Sequence, residues 1–333
     1  MTKRRLSQQQ RTRIVEKQQR VLVGGITQGE STARNNCNGR VVSHFGQQLE
    51  VEPLNTAAPR LVRCYQRANL PPLVTGDLVV WEAGEVDTGV IVAVGERSGM
   101  FGRPAFDGNF KPMAANIDTV LVVVAPSPEP FPNLIDRYLV AIETLSLTAM
   151  LVLNKFDLLP DNKHLNLDSI LSLYESVGYA VHRVSTIDGS GLENLNSSLQ
   201  GQTTVLVGQS GVGKSSLINR LGQAEVAVVG SMSETMDKGT HTTTTSRFFH
   251  LDGFDLIDSP GIREFGLGHI SPEQLFHGFK EFREFASSCK FRDCQHRSEP
   301  GCAIQAAALS GHINPQRLES YFHILQTLNT DND

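Results

Sequence analysis

Residues 203–216, Thr-Thr-Val-Leu-Val-Gly-Gln-Ser-Gly-Val-Gly-Lys-Ser-Ser, constrain the fold more than any other stretch of this 333-residue chain. Thr203 to Val207 is a β-branched, apolar run and reads as a buried strand. The residues after it fit the pattern G-x-x-x-x-G-K-[ST], and Ser216 to Leu221 reads as a helix with Gly222 as its stop. Glycines let the backbone curl so that several N–H groups face one anion, and a helix N-terminus adds a favourable dipole. Gly208, Gln209, Ser210, Gly211, Val212, Gly213, Lys214, Ser215 and Ser216 are therefore the expected phosphate clamp, with Lys214 on the β- and γ-phosphates and the Ser215 hydroxyl on Mg²⁺. The plainer alternative is a Gly-rich strand-to-helix turn.

Upstream, the pattern is that of a parallel sheet. Thr119–Ala125 is a continuous apolar run, as in a strand covered on both faces, and Pro126 to Pro132 is a Pro-rich loop. An amphipathic helix is expected over Leu134–Leu145, a strand over Ala149–Leu153, a helix over 167–177 and a strand over Ala180–Val184. Asn154-Lys155-Phe156-Asp157 follows one of these strands. Such a tetrapeptide is weak evidence alone, but here it stands at a strand end in a chain with a phosphate loop. Asp157 is placed to accept two hydrogen bonds from guanine, which adenine cannot offer. Asn154 would hold the loop and approach N7, and the Lys155 stem would cover the base. In Val184-Ser185-Thr186 a backbone N–H is available for guanine O6. Sites that hydrogen-bond such groups reject the wrong base by about 10⁴-fold.

Downstream of the clamp, Gly230 to His241 is polar and leads into a threonine run. Thr243–His250 alternates as a strand, Asp252-Gly253 is a hairpin signal and Phe254–Ile257 is the return strand. Asp258-Ser-Pro-Gly261 follows at once. Asp258 is placed to hold Mg²⁺ through water, unless the tetrapeptide is a simple turn. The Gly261 N–H would sense the γ-phosphate, and Thr243 is the threonine expected to complete the Mg²⁺ shell.

The flanks carry other signals. Lys3, Arg4, Arg5, Arg11, Arg13, Lys17 and Arg20 stand against Glu16 in a Gln- and Thr-rich start, so residues 1–35 read as a basic tail, either solvated or on RNA. The whole chain has net charge −5, so bulk charge does not argue for nucleic acid. Residues 36–112 hold strand-like runs at Gly39–Val51, Pro59–Tyr65, Asp77–Trp81 and Thr88–Val94, which suit an OB-fold barrel. Arg40, Arg60, Arg63, Arg67, Arg97 and Arg103 are interleaved there with Phe45, Tyr65, Trp81, Phe101 and Phe106. That pattern is either an RNA surface or a core with solvated arginines. Residues 271–328 read as helical. Ser271-Pro272 starts a helix, and Phe276, Phe279, Phe282 and Phe285 read as core. Of five cysteines, Cys289, Cys294 and Cys302 cluster with His296. Three thiolates and an imidazole form a closed tetrahedral Zn²⁺ set, hence a structural metal, with buried free cysteines as the alternative. Lys290, Arg292 and Arg297 flank it, so this knuckle is a second candidate RNA face. No apolar run approaches the roughly 18 residues of a membrane span, and the N-terminus lacks a signal peptide's apolar core, so a cytoplasmic chain is expected.

The base-reading motifs at 154 and 185 precede the clamp at 208, the reverse of the ordinary GTPase order, as in a circular permutation. With Gly-Thr-His-Thr-Thr-Thr at 239–244, Asp-Ser-Pro-Gly-Ile-Arg-Glu-Phe-Gly at 258–266 and Cys-Lys-Phe-Arg-Asp-Cys-Gln-His at 289–296, nearly the whole chain resembles the RsgA (YjeQ) family of small ribosomal subunit biogenesis GTPases. The resemblance implies a multidomain α/β chain. Its parts would be a basic tail over 1–35, an OB-fold RNA-binding domain over 36–112, a circularly permuted GTPase domain over 113–268 and a helical zinc-binding domain over 269–333. It implies GTP and GDP with Mg²⁺, one structural Zn²⁺, and a cytoplasmic monomer. Its partners would be the 30S subunit and 16S rRNA late in maturation, with subunit-stimulated hydrolysis as the release step. Ile262 stands where Ras-like enzymes carry the water-orienting Gln, so the isolated enzyme should be slow, and Lys214 and His241 are the expected catalytic residues. His241 would position water or merely help its loop fold. Gly211 stands where potassium-activated relatives carry Asn, so potassium dependence is not expected. The rivals are an RNA-binding assembly chaperone with a structural nucleotide, and a P-loop ATPase or small-molecule kinase. The permutation also makes the turn at 258–261 run straight into the helical segment, which a rearranging loop would pull directly.

Overall fold

The computed structural model describes residues 36–45, 48–54, 60–85, 88–104, 110–131, 133–159, 165–222, 246–258, 267 and 270–330. In chain order the strands are β1 (Gly39–Phe45), β2 (Gln48–Pro53), β3 (Val62–Gln66), β4 (Leu78–Ala83), β5 (Thr88–Val94), β6 (Met100–Pro104), β7 (Phe110–Ala115), β8 (Thr119–Val124), β9 (Thr148–Leu153), β10 (Ala180–Arg183), β11 (Thr203–Val207), β12 (Arg247–His250) and β13 (Asp255–Asp258). The helices are α1 (Leu134–Thr144), α2 (Leu165–Ser176), α3 (Leu192–Leu199), α4 (Lys214–Gly222), α5 (Pro272–Gly278), α6 (Ala303–Leu309) and α7 (Pro315–Thr330). Two compact units result. One takes the described residues of Met1–Phe101, Pro112–Ile117 and Glu225–Pro260, and the other those of Gly102–Lys111, Asp118–Ala224 and Gly261–Asp333.

In the first unit β1-β2-β3-β5-β4 form a sheet that closes through a β1–β4 pairing, with β3 and β5 parallel and the other pairs antiparallel. This is the five-stranded barrel expected of an OB-fold. The run expected as one strand from Gly39 to Val51 is a pair, β1 against β2. Val41, Leu49, Val51, Cys64, Leu70, Leu73, Val79 and Ile91 fill the interior, alternating with outward residues as the pleat requires. Trp81 packs where Gly39 and Gly89 leave room, since a Cβ on either would lie within 2.7 Å of its ring. The arginine–aromatic set divides between structure and surface. Arg97 holds the buried Asp77 through two 2.7 Å contacts and Phe101 is fully buried, whereas Tyr65 is 53% exposed.

β12 and β13 form the expected hairpin around Asp252-Gly253, and β12 extends the barrel sheet through β1 (Ser43↔Arg247). Charged side chains fasten it. His250 Nδ1 lies 2.6 Å from Asp255 and Nε2 2.9 Å from Glu52, while Arg40 stacks on Phe248 and reaches Asp255 at 3.4 Å. Hydrogen bonds to Asp255 and then Glu52 push the His250 pKa up to about 9 against the effect of burial.

The second unit is built on the parallel sheet β10-β9-β8-β11. Every residue of β8 is buried, as its unbroken apolar sequence requires. Helix α3 was not expected from the sequence; Leu195 and Leu199 are its buried residues. The C-terminal segment adds α5, a 3₁₀ stretch Lys280–Phe285, α6 and α7. Ser271 and Gln274 close a capping box on α5, with Pro272 at its start. Phe276, Phe279 and Phe282 are core around Tyr321, as their spacing suggested, but Phe285, expected with them, is only half-buried and lies against His312. Among the described residues no helix is long and apolar enough to cross a membrane.

One buried charge network ties α7 to α1 and α2. Arg317, 1% exposed, donates to Asp136 of α1 and to both oxygens of Glu281, at 2.7 and 3.0 Å. Tyr174 of α2 donates to Asp136 at 2.6 Å. Burial pulls the Arg317 pKa down, but Asp136 and Glu281 more than offset it and the net shift is upward. The helical segment is therefore fastened to α1 by packing as well as by the chain.

Candidate functional site

The phosphate loop leaves β11 at Gly208 and enters α4 at Lys214. Its glycines are required by position. Gly208, Gly211 and Gly213 have φ of 144°, 85° and 92°. A Cβ on Gly208 would lie 2.2 Å from the Val123 carbonyl, and one on Gly213 2.3 Å from Asn154 Nδ2. The Val212 side chain is buried and pins the loop, while Ser210, Gly211, Ser215 and Ser216 are exposed. Lys214 Nζ donates to the Gly208 and Gln209 carbonyls at 2.7 and 2.8 Å, so its charge lies over the loop.

Asn154-Lys155-Phe156-Asp157 begins at the end of β9, and Asn154 is fully buried. Asn154 Nδ2 donates to the Val212 carbonyl at 2.9 Å, and Lys155 Nζ to the Gly211 carbonyl at 2.7 Å. The two loops singled out in the sequence thus adjoin, although their residues are 58 positions apart. In a trans peptide the carbonyl and the next N–H face opposite ways. Holding these two carbonyls therefore turns the Val212 and Gly213 N–H groups away from the base loop, in the manner of an anion nest.

The third loop, after β10, joins the same edge. The Phe156 N–H donates to the Val184 carbonyl at 3.0 Å, and Ser185 Oγ donates to Asp157 Oδ1 at 2.6 Å. Ser185 Oγ accepts from the Ile187 and Asp188 N–H groups. Of the three N–H groups considered for a carbonyl ligand, two are engaged within the protein. Val184 donates to Leu153 and Ser185 donates to Ser190. That leaves Thr186, the last of the three residues whose N–H the sequence offered. The loops stand together because ligand sites of parallel sheets form beyond the C-terminal strand ends.

Asp258 closes β13 opposite Arg247 in the first unit. His241, Thr243 and Gly261 lie outside the described residues.

In the C-terminal segment one ligand atom each from Cys289, Cys294, His296 and Cys302 lies within 4.8 Å of all the others. His296 Nδ1 is 3.5 Å from the sulfurs of both Cys289 and Cys302. Tetrahedral zinc at ordinary Zn–S and Zn–N lengths requires about 3.6 Å between such atoms, so the donor set fits the ion. The sulfurs also accept backbone N–H bonds, Ala303 to Cys289 and Gln305 to Cys302. His296 takes a left-handed backbone (φ 61°) and its ring stacks on Phe276 at 5.0 Å. Glu299 accepts from the N–H groups of Gln295, Arg297 and Ser298, which shapes the turn between ligands.

Comparison with known proteins bears on this geometry. Residues 94–268 match the family model described as RsgA GTPase. A Marinobacter nauticus protein named small ribosomal subunit biogenesis GTPase RsgA is 46% identical over 340 residues, covering 98% of this chain and 97% of the relative. A Pseudomonas putida protein of the same name is 51% identical over 295 residues, covering 88% and 86%. Among solved structures, YloQ, described as a circularly permuted GTPase, matches with a TM-score of 0.69 at 27% identity over 88% of this chain and 95% of that one. YjeQ from Thermotoga maritima matches with a TM-score of 0.69 at 32% identity over 87% and 97%. With base-side loops preceding the phosphate loop along the chain and meeting it at one sheet edge, this protein belongs to the RsgA GTPase family and is a circularly permuted GTP hydrolase.

Proposed function

We propose that this GTPase acts in the cytoplasm, as a monomer, on the 30S ribosomal subunit and its 16S rRNA. It binds late in assembly, and subunit-stimulated GTP hydrolysis drives its release. The observation that carries the reading is the pair of bonds from Asn154 and Lys155 to the carbonyls of Val212 and Gly211. They support one nucleotide lying between the two loops. The names of the relatives, small ribosomal subunit biogenesis GTPase, support the particle.

Within this reading Asp157 selects guanine and the Thr186 N–H meets O6, with Asn154, Lys155, Phe156 and Ser185 shaping that end. Gly208 to Ser216 clamp the phosphates and Lys214 neutralises charge developing on the γ-phosphate. Ser215 and Thr243 would hold Mg²⁺, with Asp258 beside it, and Gly261 would report the γ-phosphate; these last roles rest on motif position. His241 positions the attacking water. Cys289, Cys294, His296 and Cys302 would hold Zn²⁺ as a full set of protein donors, and the ion would keep the knuckle folded.

The rival is an RNA-binding assembly chaperone with a structural guanine nucleotide. Co-sedimentation with 30S, 50S and 70S particles, in GDP and in a non-hydrolysable GTP analogue, together with turnover with and without 30S, separates the two. The switch reading expects 30S-selective binding that is stronger with the analogue, and stimulated turnover. Equal binding in both nucleotides without stimulation would favour the chaperone.

A further inference from the structure

The loop after β8 has no part in the reading so far, yet topology leaves it one place to go. β8 lies between β9 and β11 in the parallel sheet, so the loop at its C-terminal end emerges between the base loop and the phosphate loop. Two contacts show how it is used. A Cβ placed on Gly211 would lie 3.5 Å from Pro128 Cδ, so the proline ring stands beside the phosphate loop, near enough that a side chain at 211 would meet it. The Ser127 carbonyl accepts from Lys155 Nζ at 2.6 Å, and the same ammonium donates to the Gly211 carbonyl at 2.7 Å. One cation therefore bridges the two loops, through bonds of charge-assisted length. Buried Pro126 anchors the near end.

We propose that the segment Pro126–Phe131 is a third wall of the guanine-nucleotide site and that Pro128 is a positioning residue within it. The wall fixes the Lys155 ammonium through the Ser127 carbonyl. The ammonium fixes the Gly211 carbonyl, and this keeps the next N–H group turned toward the anion. Phosphate-loop glycines are free to leave that conformation, so the restraint acts chiefly on how long nucleotide stays bound. The inference rests on the nucleotide reading of residues 154–157 and 208–216.

The test is displacement of a fluorescent N-methylanthraniloyl-GDP from the full-length protein, followed by stopped flow. Pro128→Gly should release it about five-fold faster, and Lys155→Met about ten-fold faster, as loss of a charge-assisted bond implies. The double variant should be no faster than about ten-fold, because the two side chains act through one bridge. Pro128→Ala, which keeps an L-residue backbone, serves if the glycine variant folds poorly. Lys155→Arg, whose guanidinium can donate to two carbonyls, should restore slow release; a merely structural role for the loop predicts neither this rescue nor the non-additivity. Release within about two-fold of the parent in both Pro128 variants, or effects that multiply in the double variant, would overturn the proposal. Asp157→Asn separates this from failure of the underlying reading. If it moves base preference from guanosine to xanthosine while the Pro128 variants do nothing, the loop is passive and the nucleotide site stands. If it leaves guanosine preference unchanged, the site is misread and the third wall falls with it.

Discussion

The Cys₃His cluster that fits zinc and the loops of the proposed nucleotide site are built in opposite ways. The knuckle takes its four donors from one short stretch, Cys289 to Cys302, and turns made by that stretch bring them together. The nucleotide loops take theirs from ends of separate strands, and Asn154 meets Val212 across 58 residues. The first is organised by local backbone geometry and by affinity for an ion. The second is organised by the order of strands in a sheet. A local site depends on its ligand for its shape, whereas a distributed site is shaped by the fold before its ligand arrives.

That contrast predicts different failures. Metal removal should have the largest effect. Structural zinc contributes on the order of ten kcal/mol of binding free energy in small knuckles, so a chelator should release amide protection across residues 289–305. GDP affinity should stay within roughly three-fold, because distant sites are nearly independent. Hydrogen exchange beside a GDP titration checks both, and a parallel collapse of GDP binding would break the comparison. Asp157→Asn should act on the other region alone, weakening GTP by up to about 10⁴-fold in favour of xanthosine nucleotides, with zinc content unchanged. Unaltered GTP affinity in competition binding would count against the base-reading role.

Arg317→Met probes the packing of the helical segment against α1. It strips the partner from buried Asp136 and Glu281, and breaking such a network costs about 3 to 5 kcal/mol. Urea unfolding should show that loss, and a change under about 1 kcal/mol would mean that packing alone anchors α7. The smallest expected effect lies outside both regions, at His250. Its folded pKa, about 9, exceeds the usual 6.5, so the stability it contributes is complete below pH 6.5 and lost as pH rises through 9. Melting temperatures at pH 6 and pH 9.5 should diverge more in the parent than in His250→Gln.

The Arg317 network also qualifies the idea that a rearranging turn at 258–261 pulls directly on the helical segment. The chain connects them, but Asp136 of α1 and Tyr174 of α2 hold the far helix of that segment through Arg317. No local pattern revealed this anchor, because Asp136, Tyr174, Glu281 and Arg317 look like ordinary surface residues until the helices that carry them pack together.

Other misses have several origins. The β1–β2 pair was read as one run although the two residues between its strands in the sequence, Gly46-Gln47, carry the glycine of a hairpin signal. Helix α3 was overlooked because Leu195 and Leu199 are its buried residues in a polar stretch. The Pro126–Pro132 loop was legible as a loop, but not as a neighbour of Gly211, since that depends on β8 lying between β9 and β11.

By itself the sequence determined the candidate chemistry: a glycine-rich loop with Lys214, a motif at a strand end with Asp157, a Cys₃His donor set that fits zinc, and the inverted order of the first two. These are legible because backbone curvature, hydrogen-bond identity and metal-ligand spacing are properties of a few adjacent residues. Only the tertiary structure decided which carbonyls Asn154 and Lys155 hold, which N–H remains for a ligand at Thr186, and what Arg317 and Pro128 touch. Those facts follow from strand order and helix packing, which depend on apolar burial summed over the whole chain and not on any one segment of it.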